Sequence, residues 1–488
     1  MTRPVLVGVD VGTTDTKAML TCTDGHTLAF ARRATDWTTV AEGRQETTGA
    51  AVVQGVLAVS ADALAQLHCR SGEDVRVVGL GVAGLAESGV LLDEHGRETS
   101  PVIAWFDDRG SAELAAVDAG FLAEFPGRTG LPVGPQWTLP KLLWMRSAGL
   151  PVPAARRWLN LPEFVAWTLT GEQVSEPSLA SRTGLIDQGT GRPWDDALAV
   201  AGVRAGLLPP SVPAGTAAGR IRNCSAVPEL NGAVLTVAGH DHPVAAVGAG
   251  AIGPEDLFDS CGTAEVLLRS VPRVLTGAER ATLVGLRIDA GTHALPGHAI
   301  LIGGMRSGLV MRRVLALVGA DDPDGRQRLD DAWRPGAPGA DRVVVTGGRI
   351  DHDDDDVTLR LRDGAGPDAA WAATLEHLAV QSADLLAAIA SVVGEHRDAV
   401  AAGGWTRMRS VREMKDHTIP RLTFCPVEQP GARGAALFAA CAAEDGATVA
   451  DLAARFATTA SSVPGHTREP TEVSDRREVS DTHEEFSR

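Results

Sequence analysis

A set of residues suited to holding phosphate lies near the start of the chain, in the segment VLVGVDVGTTDTKAML. Asp10 ends a short apolar run, and Gly12, Thr13 and Thr14 form a predicted tight turn before a second apolar run that carries Lys17. Glycine permits close backbone approach, while turn amides, hydroxyls and a lysine suit phosphate oxygens. The aspartate can hold Mg²⁺ directly or through water. The segment predicts a triphosphate-binding hairpin of non-Walker type, and an ordinary Asx-Gly hairpin is the alternative.

A similar Gly-Thr turn occurs about half the chain further on, in LFDSCGTAEVLLR. Gly262 and Thr263 again separate two apolar runs. Two such strand–turn–strand units suggest a duplicated fold whose opposed turns hold the two ends of one triphosphate. Chance similarity between short turns is the alternative.

A further candidate for chemistry follows the apolar run AVLTVAG, where His240, Asp241 and His242 are consecutive. A carboxylate beside an acceptor hydroxyl can take its proton during phosphoryl transfer. Asp241 is also a suitable N-cap for the Ala/Val-rich helix that follows. In an extended segment both histidines would share one face, with Asp241 on the other, which also allows a Zn²⁺ site. We expect instead that one histidine contacts the ligand and the other packs.

Two segments have side chains that suit a sugar. Trp105, Asp107 and Arg109 alternate, which predicts one face of a strand offering an aromatic ring, a carboxylate and a guanidinium. The alternative is a core tryptophan beside a surface ion pair. Glu87 follows a buried-strand pattern, where an acid is costly unless it meets a partner or a ligand.

Small residues mark a third region, in which Gly403 and Gly404 end a predicted strand and Gly431 opens a predicted helix. They would let a purine lie against the backbone, or they serve generic helix–strand packing. In the second half of the chain, GGMRSGLVMRRVLALVGA predicts a helix that begins at its glycine pair.

Composition limits the classes of function. A chain of 488 residues exceeds a single hydrophobic core, so we expect two domains. A formal net charge of −17 argues against nucleic acid and anionic membrane as partners. We find no run of 18 apolar residues and no signal-peptide pattern, and the six cysteines are scattered. We therefore expect a cytoplasmic protein with reduced thiols.

In chain order, these segments resemble the FGGY carbohydrate kinases of the actin/hexokinase/Hsp70 superfamily, from about residue 5 to 460. DVGTTDTK and SCGTAE resemble the two phosphate motifs, WFDDR the sugar-site segment, and GHD the segment with the catalytic base. AAGGW and GARGAAL resemble the adenosine-site loops. One departure concerns the sugar side, since GLAESG replaces the GQMHG of many members and Glu87 occupies the histidine position. In the segment similar to DxSxAS, Glu176 replaces the usual aspartate.

The resemblance implies an α/β fold of two ribonuclease H-like (actin-like) domains with an active-site cleft between them. We assign residues 1–243 and 244–465 to these domains and residues 466–488 to a disordered tail. The implied reaction is ATP- and Mg²⁺-dependent phosphorylation of a small ketose or polyol. A homodimer is one possible oligomeric state. The alternatives are an actin/Hsp70-like nucleotide switch and a sugar-sensing module with weak catalysis.

The resemblance also implies roles for single residues. Asp241 would be the catalytic base, and Asp10 would hold the metal. The nucleotide would be held by Asp10, Gly12, Thr13, Thr14, Lys17, Gly262, Thr263, Gly403, Gly404 and Gly431. The acceptor would be held by Glu87, Trp105, Asp107, Arg109 and His242.

Overall fold

The structure is a computed structural model that describes residues 2–40, 44–72, 74–336, 340–348 and 357–460. The acidic run at 353–356 and the predicted disordered tail at 466–488 lie outside the described residues.

Strands and helices alternate along much of the described chain. The strands are β1 (Arg3–Val11), β2 (Asp15–Cys22), β3 (Thr27–Ala34), β4 (Thr38–Thr39), β5 (Gln45–Thr47), β6 (Val75–Gly84), β7 (Gly89–Leu92), β8 (Val102–Ile103), β9 (Arg157–Asn160), β10 (Ile186–Asp187), β11 (Arg192–Pro193), β12 (Gly219–Arg220), β13 (Val234–His240), β14 (Leu257–Cys261), β15 (Glu265–Val271), β16 (Asp289–Thr292), β17 (Ala299–Met305), β18 (Val343–Gly347), β19 (Val357–Leu361), β20 (Ala399–Ala402) and β21 (Leu422–Phe424). The helices are α1 (Gly49–Ser71), α2 (Ser111–Ala115), α3 (Ala119–Thr129), α4 (Thr138–Ser147), α5 (Leu161–Thr170), α6 (Pro177–Ala180), α7 (Asp195–Ala201), α8 (Asp241–Ala249), α9 (Gly277–Gly285), α10 (Ser307–Leu317), α11 (Pro323–Ala332), α12 (Pro367–Val393), α13 (Arg409–Thr418), α14 (Pro430–Ala443) and α15 (Val449–Ala460).

The first large sheet has six strands in the order β12-β13-β6-β1-β2-β3. Strands β1, β2 and β3 form antiparallel hairpins, whereas β6 and β13 run parallel to β1. The last seven residues of β1 are all buried, as expected for a strand covered on both faces. The carboxyl ends of β1, β6 and β13 therefore meet at one edge of the sheet, where the predicted chemistry of all three segments converges.

The second large sheet repeats this plan in the order β16-β17-β15-β14-β20-β21. Its β14–β15 hairpin corresponds to β1–β2, and β20 and β21 run parallel to β14 as β6 and β13 run parallel to β1. The two predicted phosphate turns thus occupy equivalent places in two related sheets, in agreement with the predicted duplication.

Helix α14 joins the two halves, since it comes late in the chain but packs on β1, β6 and β13 of the first sheet. The contact is very close: a Cβ atom on Gly8 would lie 2.0 Å from the Ala432 carbonyl oxygen, and one on Gly81 would lie 2.0 Å from that of Ala435. Helix α8 packs beside α14, where a Cβ on Gly248 would lie 1.9 Å from the Pro430 carbonyl oxygen. These absent side chains let the start of α14 reach the edge where β1 ends.

Two helices, α1 and α12, have the length and hydropathy of membrane spans when those properties are considered alone. Core helices of soluble proteins share these properties. Helix α1 packs against β2, β3 and α5, and α12 packs against α10 and α13. Two such helices are weak evidence for a membrane span.

One helix boundary differs from the sequence prediction. Gly303 and Gly304 lie within β17, paired with β15, and α10 begins only at Ser307. A Cβ on Gly303 would lie 2.7 Å from the side chain of Leu385. The glycine pair therefore serves close packing of the sheet under α12 and does not start the helix.

Candidate active site

A cavity of about 770 Å³ lies where the two related sheets face each other. Residues of both phosphate hairpins and of both glycine loops line it together with the start of α8. The predicted residues in its lining are Asp10, Lys17, Asp241, His242, Gly262, Thr263, Gly403, Gly404 and Gly431. The structure thus brings seven of the ten predicted nucleotide residues together with the predicted base, whereas Gly12, Thr13 and Thr14 are not in this lining.

The first hairpin places Asp10 and Lys17 opposite each other in the β1–β2 pairing. Their charged atoms, Oδ2 and Nζ, are 3.9 Å apart. Burial raises the pKa of Asp10 to about 6, against the effect of Lys17, and the charge of Asp241 raises it further. The start of α14 approaches this carboxylate, because a Cβ on Gly431 would lie 2.5 Å from its Oδ2. Asp10 is therefore a desolvated acid whose ionised form would be stabilised by a cation.

A divalent metal ion fits this arrangement. Among the described residues, Asp10 Oδ1 is buried and has no hydrogen-bond partner. The carboxylates of Asp10 and Asp241 line one cavity, and the charge of Asp241 helps to raise the pKa of Asp10. Two acidic oxygen donors in a polar cleft are ligands that Mg²⁺ accepts together with water and phosphate.

The second hairpin is enclosed by glycines of two other elements. Its turn closes through a hydrogen bond of 3.0 Å from Gly262 N to Ala264 O. A Cβ on Gly308, at the start of α10, would lie 2.1 Å from the Gly262 carbonyl oxygen. A Cβ on Gly403, whose φ is +125°, would lie 2.3 Å from the Cys261 carbonyl oxygen. The turn and the Gly403 loop consequently form one wall of the cavity.

Asp241 is the first residue of α8, directly after β13. Its Oδ1 lies 3.1 Å from His240 Nε2 and accepts a hydrogen bond of 2.7 Å from His242 N. Although burial alone would raise the pKa of Asp241, the fields and hydrogen bonds of His242 and His240 hold it well below its usual range. The carboxylate is therefore ionised at neutral pH, with its side chain 26% exposed.

The extended segment that would put both histidines on one face, away from Asp241, is not present. The chain changes from strand to helix at His240, so strict alternation ends there. The rings of His240 and His242 lie 5.4 Å apart, and ligand atoms of all three side chains fall within 4.8 Å of one another. Burial lowers the pKa of His242, while the charge of Asp241 opposes this effect.

Glu87 has the partner that its burial requires. It adopts a φ of +66° just after β6, and its Oε1 accepts from Arg182 Nε at 2.7 Å. Arg182 also donates to Asp289 Oδ2 at 3.1 Å and lies 4.6 Å from the ring centre of Trp137. The charge of Arg182 helps to lower the pKa of His242, and the charge of Glu87 opposes this effect. This network crosses from one half of the chain to the other, and sequence reasoning missed Arg182 and Asp289.

The prediction that Trp105, Asp107 and Arg109 share a strand face is wrong. Strand β8 ends at Ile103, and a tight turn follows in which Asp107 N donates to Ala104 O at 3.1 Å. The alternative fails too, because Trp105 is 38% exposed whereas the ion pair is buried. Arg109 binds both carboxylate oxygens of Asp107, at 2.9 and 2.7 Å. The pair holds the turn that presents Trp105.

The segment that carries Glu176 supports the end of β13. Glu176 Oε2 accepts from Ser178 Oγ at 2.5 Å, and that hydroxyl accepts from His240 N at 2.9 Å. Burial raises the pKa of Glu176 to about 7. Through Ser178, Glu176 thus supports His240, the residue before Asp241. Glu176 is not itself in the cavity lining.

Comparison with known proteins decides the family. The sequence pattern of the FGGY family of carbohydrate kinases, N-terminal domain, matches residues 5–248. The chain belongs to the FGGY family of carbohydrate kinases. It is 28% identical over 414 residues to a glycerol kinase from Rhodospirillum centenum, with 79% of each chain covered. It is 27% identical over 327 residues to a xylulose kinase from Streptomyces rubiginosus, covering 65% of this chain and 64% of the relative.

The fold of this FGGY kinase agrees with solved structures. A crystal structure of Plasmodium falciparum glycerol kinase with ADP superimposes with a TM-score of 0.80 at 15% identity, covering 93% of this chain and 92% of that one. The predicted α/β fold of two actin-like domains is therefore confirmed. Membership of the family makes the protein a carbohydrate kinase that uses ATP.

Proposed function

We propose that this FGGY kinase transfers the γ-phosphoryl group of Mg²⁺-bound ATP to a hydroxyl of a small ketose or polyol, with Asp241 as general base. The observation that carries the proposal is the position of Asp241, an ionised carboxylate in the cavity lined by both Gly-Thr hairpins and by Asp10. Phosphoryl transfer depends mainly on positioning and charge stabilisation, and an acceptor proton needs a nearby carboxylate.

We also propose roles for the other residues. Both Gly-Thr turns and Lys17 would contact the phosphates, Asp10 would hold Mg²⁺, and the loops at Gly403 and Gly431 would accommodate the adenosine. Glu87 and His242, with the exposed ring of Trp105, would face the acceptor. Mg²⁺ would neutralise charge on the transferring phosphate. Closure of the two halves would exclude water and protect ATP from hydrolysis.

A coupled ADP-release screen over ketoses, polyols and aldoses tests the proposal. We expect ADP formation to depend on one acceptor class and on Mg²⁺, with one phosphate ester formed per ADP. ADP release that is independent of every added acceptor would favour an actin/Hsp70-like switch. Tight sugar binding without transfer would favour a sensing module. The cytoplasmic location and the absence of nucleic-acid and membrane partners stay predictions, as do the domain boundaries and a homodimer.

A further inference from the structure

The carbonyl groups of the first phosphate turn are all bound by one neighbouring segment, which connects β3 to β4. Thr35 Oγ1 donates to Gly12 O at 2.7 Å, and Thr35 N donates to Thr14 O at 2.9 Å. Trp37 Nε1 donates to Thr13 O at 2.8 Å. Carbonyl oxygens repel phosphate oxygens, so a turn that binds phosphate must direct them elsewhere. Tying all three carbonyls to one segment achieves this.

A second tryptophan holds the same residue by its side chain. Trp105 Nε1 donates to Thr13 Oγ1 at 2.9 Å, across 92 positions of sequence. A hydroxyl has one proton to donate and two lone pairs that accept. When an indole N–H occupies one lone pair, the Thr13 proton remains available for another acceptor, such as a phosphate oxygen.

We propose that Trp37 and Trp105 are positioning residues for the nucleotide, which hold Thr13 by its carbonyl and its hydroxyl and so determine which groups the first turn offers to phosphate. The proposal rests on the proposed function, because it takes this hairpin to bind the triphosphate. It also links the two substrates. Trp105 belongs to the turn that Asp107 and Arg109 hold, so the segment predicted to face the acceptor contacts the nucleotide turn directly.

A double-mutant cycle separates this role from general structural support. Trp105→Phe keeps an aromatic ring for the acceptor but removes the N–H donor. We expect kcat/KM for ATP to fall about tenfold, because the variant loses the hydrogen bond to Thr13, a residue proposed to bind the charged phosphate. The KM for the acceptor should change less than about twofold. In a Thr13→Val background the same change should cost less than about twofold, because the hydroxyl is already gone. Thr13→Ser keeps the hydroxyl and should retain the wild-type response.

Trp37→Phe gives the complementary measurement. We expect KM for ATP to rise about fivefold, since a released carbonyl can turn toward phosphate. The loss should be the same in the Thr13→Val background, because valine keeps the carbonyl that Trp37 binds. Trp194→Phe is the matched control, since it removes an indole bond of 3.1 Å to Asp196 Oδ2, away from the cavity. Its ATP kinetics should equal those of the wild type.

The outcomes distinguish this inference from the proposed function. A Trp105→Phe loss that persists undiminished with Thr13→Val, or that falls only on KM for the acceptor, would overturn the inference while leaving the kinase reaction intact. A wild type that forms no ADP with any acceptor would refute the proposed function. The inference would then be decided by ATP binding in a calorimeter, where equal affinities of wild type, Trp37→Phe and Trp105→Phe would overturn it.

Discussion

The two phosphate hairpins share a strand plan but place their acids differently. With Gly12 and Gly262 superimposed along the sequence, Asp10 corresponds to Ser260, and both line the cavity. Asp259 precedes Ser260 by one residue and therefore lies on the opposite face of its strand. Among the described residues of the two hairpins, only the first hairpin presents a carboxylate to the cavity.

The acids of the second hairpin are neutralised in the interior. Asp259 and Glu265 lie on the same face, with side chains 0% and 2% exposed, and both contact Lys415 of α13. Lys415 Nζ is 3.0 Å from Asp259 Oδ2. Although burial favours the neutral amine, the two carboxylates hold the pKa of Lys415 well above its usual range. This cluster joins the hairpin to the helix that follows the Gly403 loop.

The difference shows two ways to fix a phosphate turn. The first turn is held by neutral hydrogen bonds to its carbonyls, and within the described part of the chain Asp10 Oδ1 has no hydrogen-bond partner. The second turn is fixed from behind by buried charges and offers the ligand no carboxylate of its own strand. The metal ion is then expected on one side of the triphosphate only, next to Asp10 and Asp241.

The largest effect on activity is expected from substitution of Asp241, which lies between the hairpins. This substitution tests whether both hairpins serve one reaction. Asp241→Asn should lower phosphoryl transfer by about 10²- to 10⁴-fold, the usual contribution of a general base. The affinity for ATP should change little, because both turns remain. Single-turnover rates and ATP calorimetry measure the two quantities. Substantial residual turnover would remove Asp241 from this role.

The buried cluster of the second hairpin should dominate stability. Lys415→Met leaves Asp259 and Glu265 buried without a cation, and we expect a loss of about 3–5 kcal/mol in the free energy of unfolding. Urea denaturation of the variant and of Lys17→Met provides the comparison. Lys17 is half-buried and 3.9 Å from its acid, so its loss should affect stability far less. Equal losses would show that the hairpins are fixed in the same way.

The glycines of the two walls should also differ. Gly403→Ala places a Cβ 2.3 Å from the Cys261 carbonyl oxygen at a φ of +125°, so we expect about 1–3 kcal/mol of strain and a raised KM for ATP. At Gly12 and Gly262 the added Cβ would lie 3.0 and 3.3 Å from a single carbonyl oxygen of the same turn. The alanine variants at Gly12 and Gly262 should therefore lower the melting temperature less than Gly403→Ala does. A Gly403→Ala variant with wild-type melting and ATP kinetics would contradict this.

Local patterns along the sequence predicted the hairpins, the buried strands and nine of the residues that line the cavity. The predicted Gly12, Thr13 and Thr14 of the first turn are not in that lining. They could not predict groups that act through distant contacts, such as Trp37, because a tryptophan in a connection carries no sign of the carbonyl that it binds. The alternation at Trp105 was misleading, since a turn with a buried ion pair has the same letters as a strand face.

Lys415 did leave a sequence signal. It shares the buried face of α13 with Val411 and Met414, at helical spacing. A lysine within an apolar stripe indicates a buried acid elsewhere, but only the fold identifies which one. The network of Arg182 and Asp289 was likewise beyond prediction, because its members come from different halves of the chain.

The smallest expected effect concerns pH, and it separates Asp10 from Asp259. Since the pKa of Asp10 is raised to about 6, protons compete with Mg²⁺ for this carboxylate below that pH. Asp241, with its depressed pKa, stays ionised and adds no acid limb. The free Mg²⁺ needed for half-maximal activity should therefore rise about tenfold between pH 7 and pH 5, when the concentration of MgATP is held constant.

Asp259→Asn is the control for this pH effect, because the Asp259 carboxylate is not in the cavity lining and pairs with Lys415. The variant should lose stability but keep the Mg²⁺-dependent acid limb unchanged. Excess Mg²⁺ should restore activity at pH 5 in both proteins. Two results would contradict this prediction: a loss of activity at low pH that excess Mg²⁺ does not reverse, or a pH dependence that shifts in the Asp259→Asn variant. Either would mean that the metal ion is not held on the side of the first hairpin. The asymmetry between the two turns would then be structural alone.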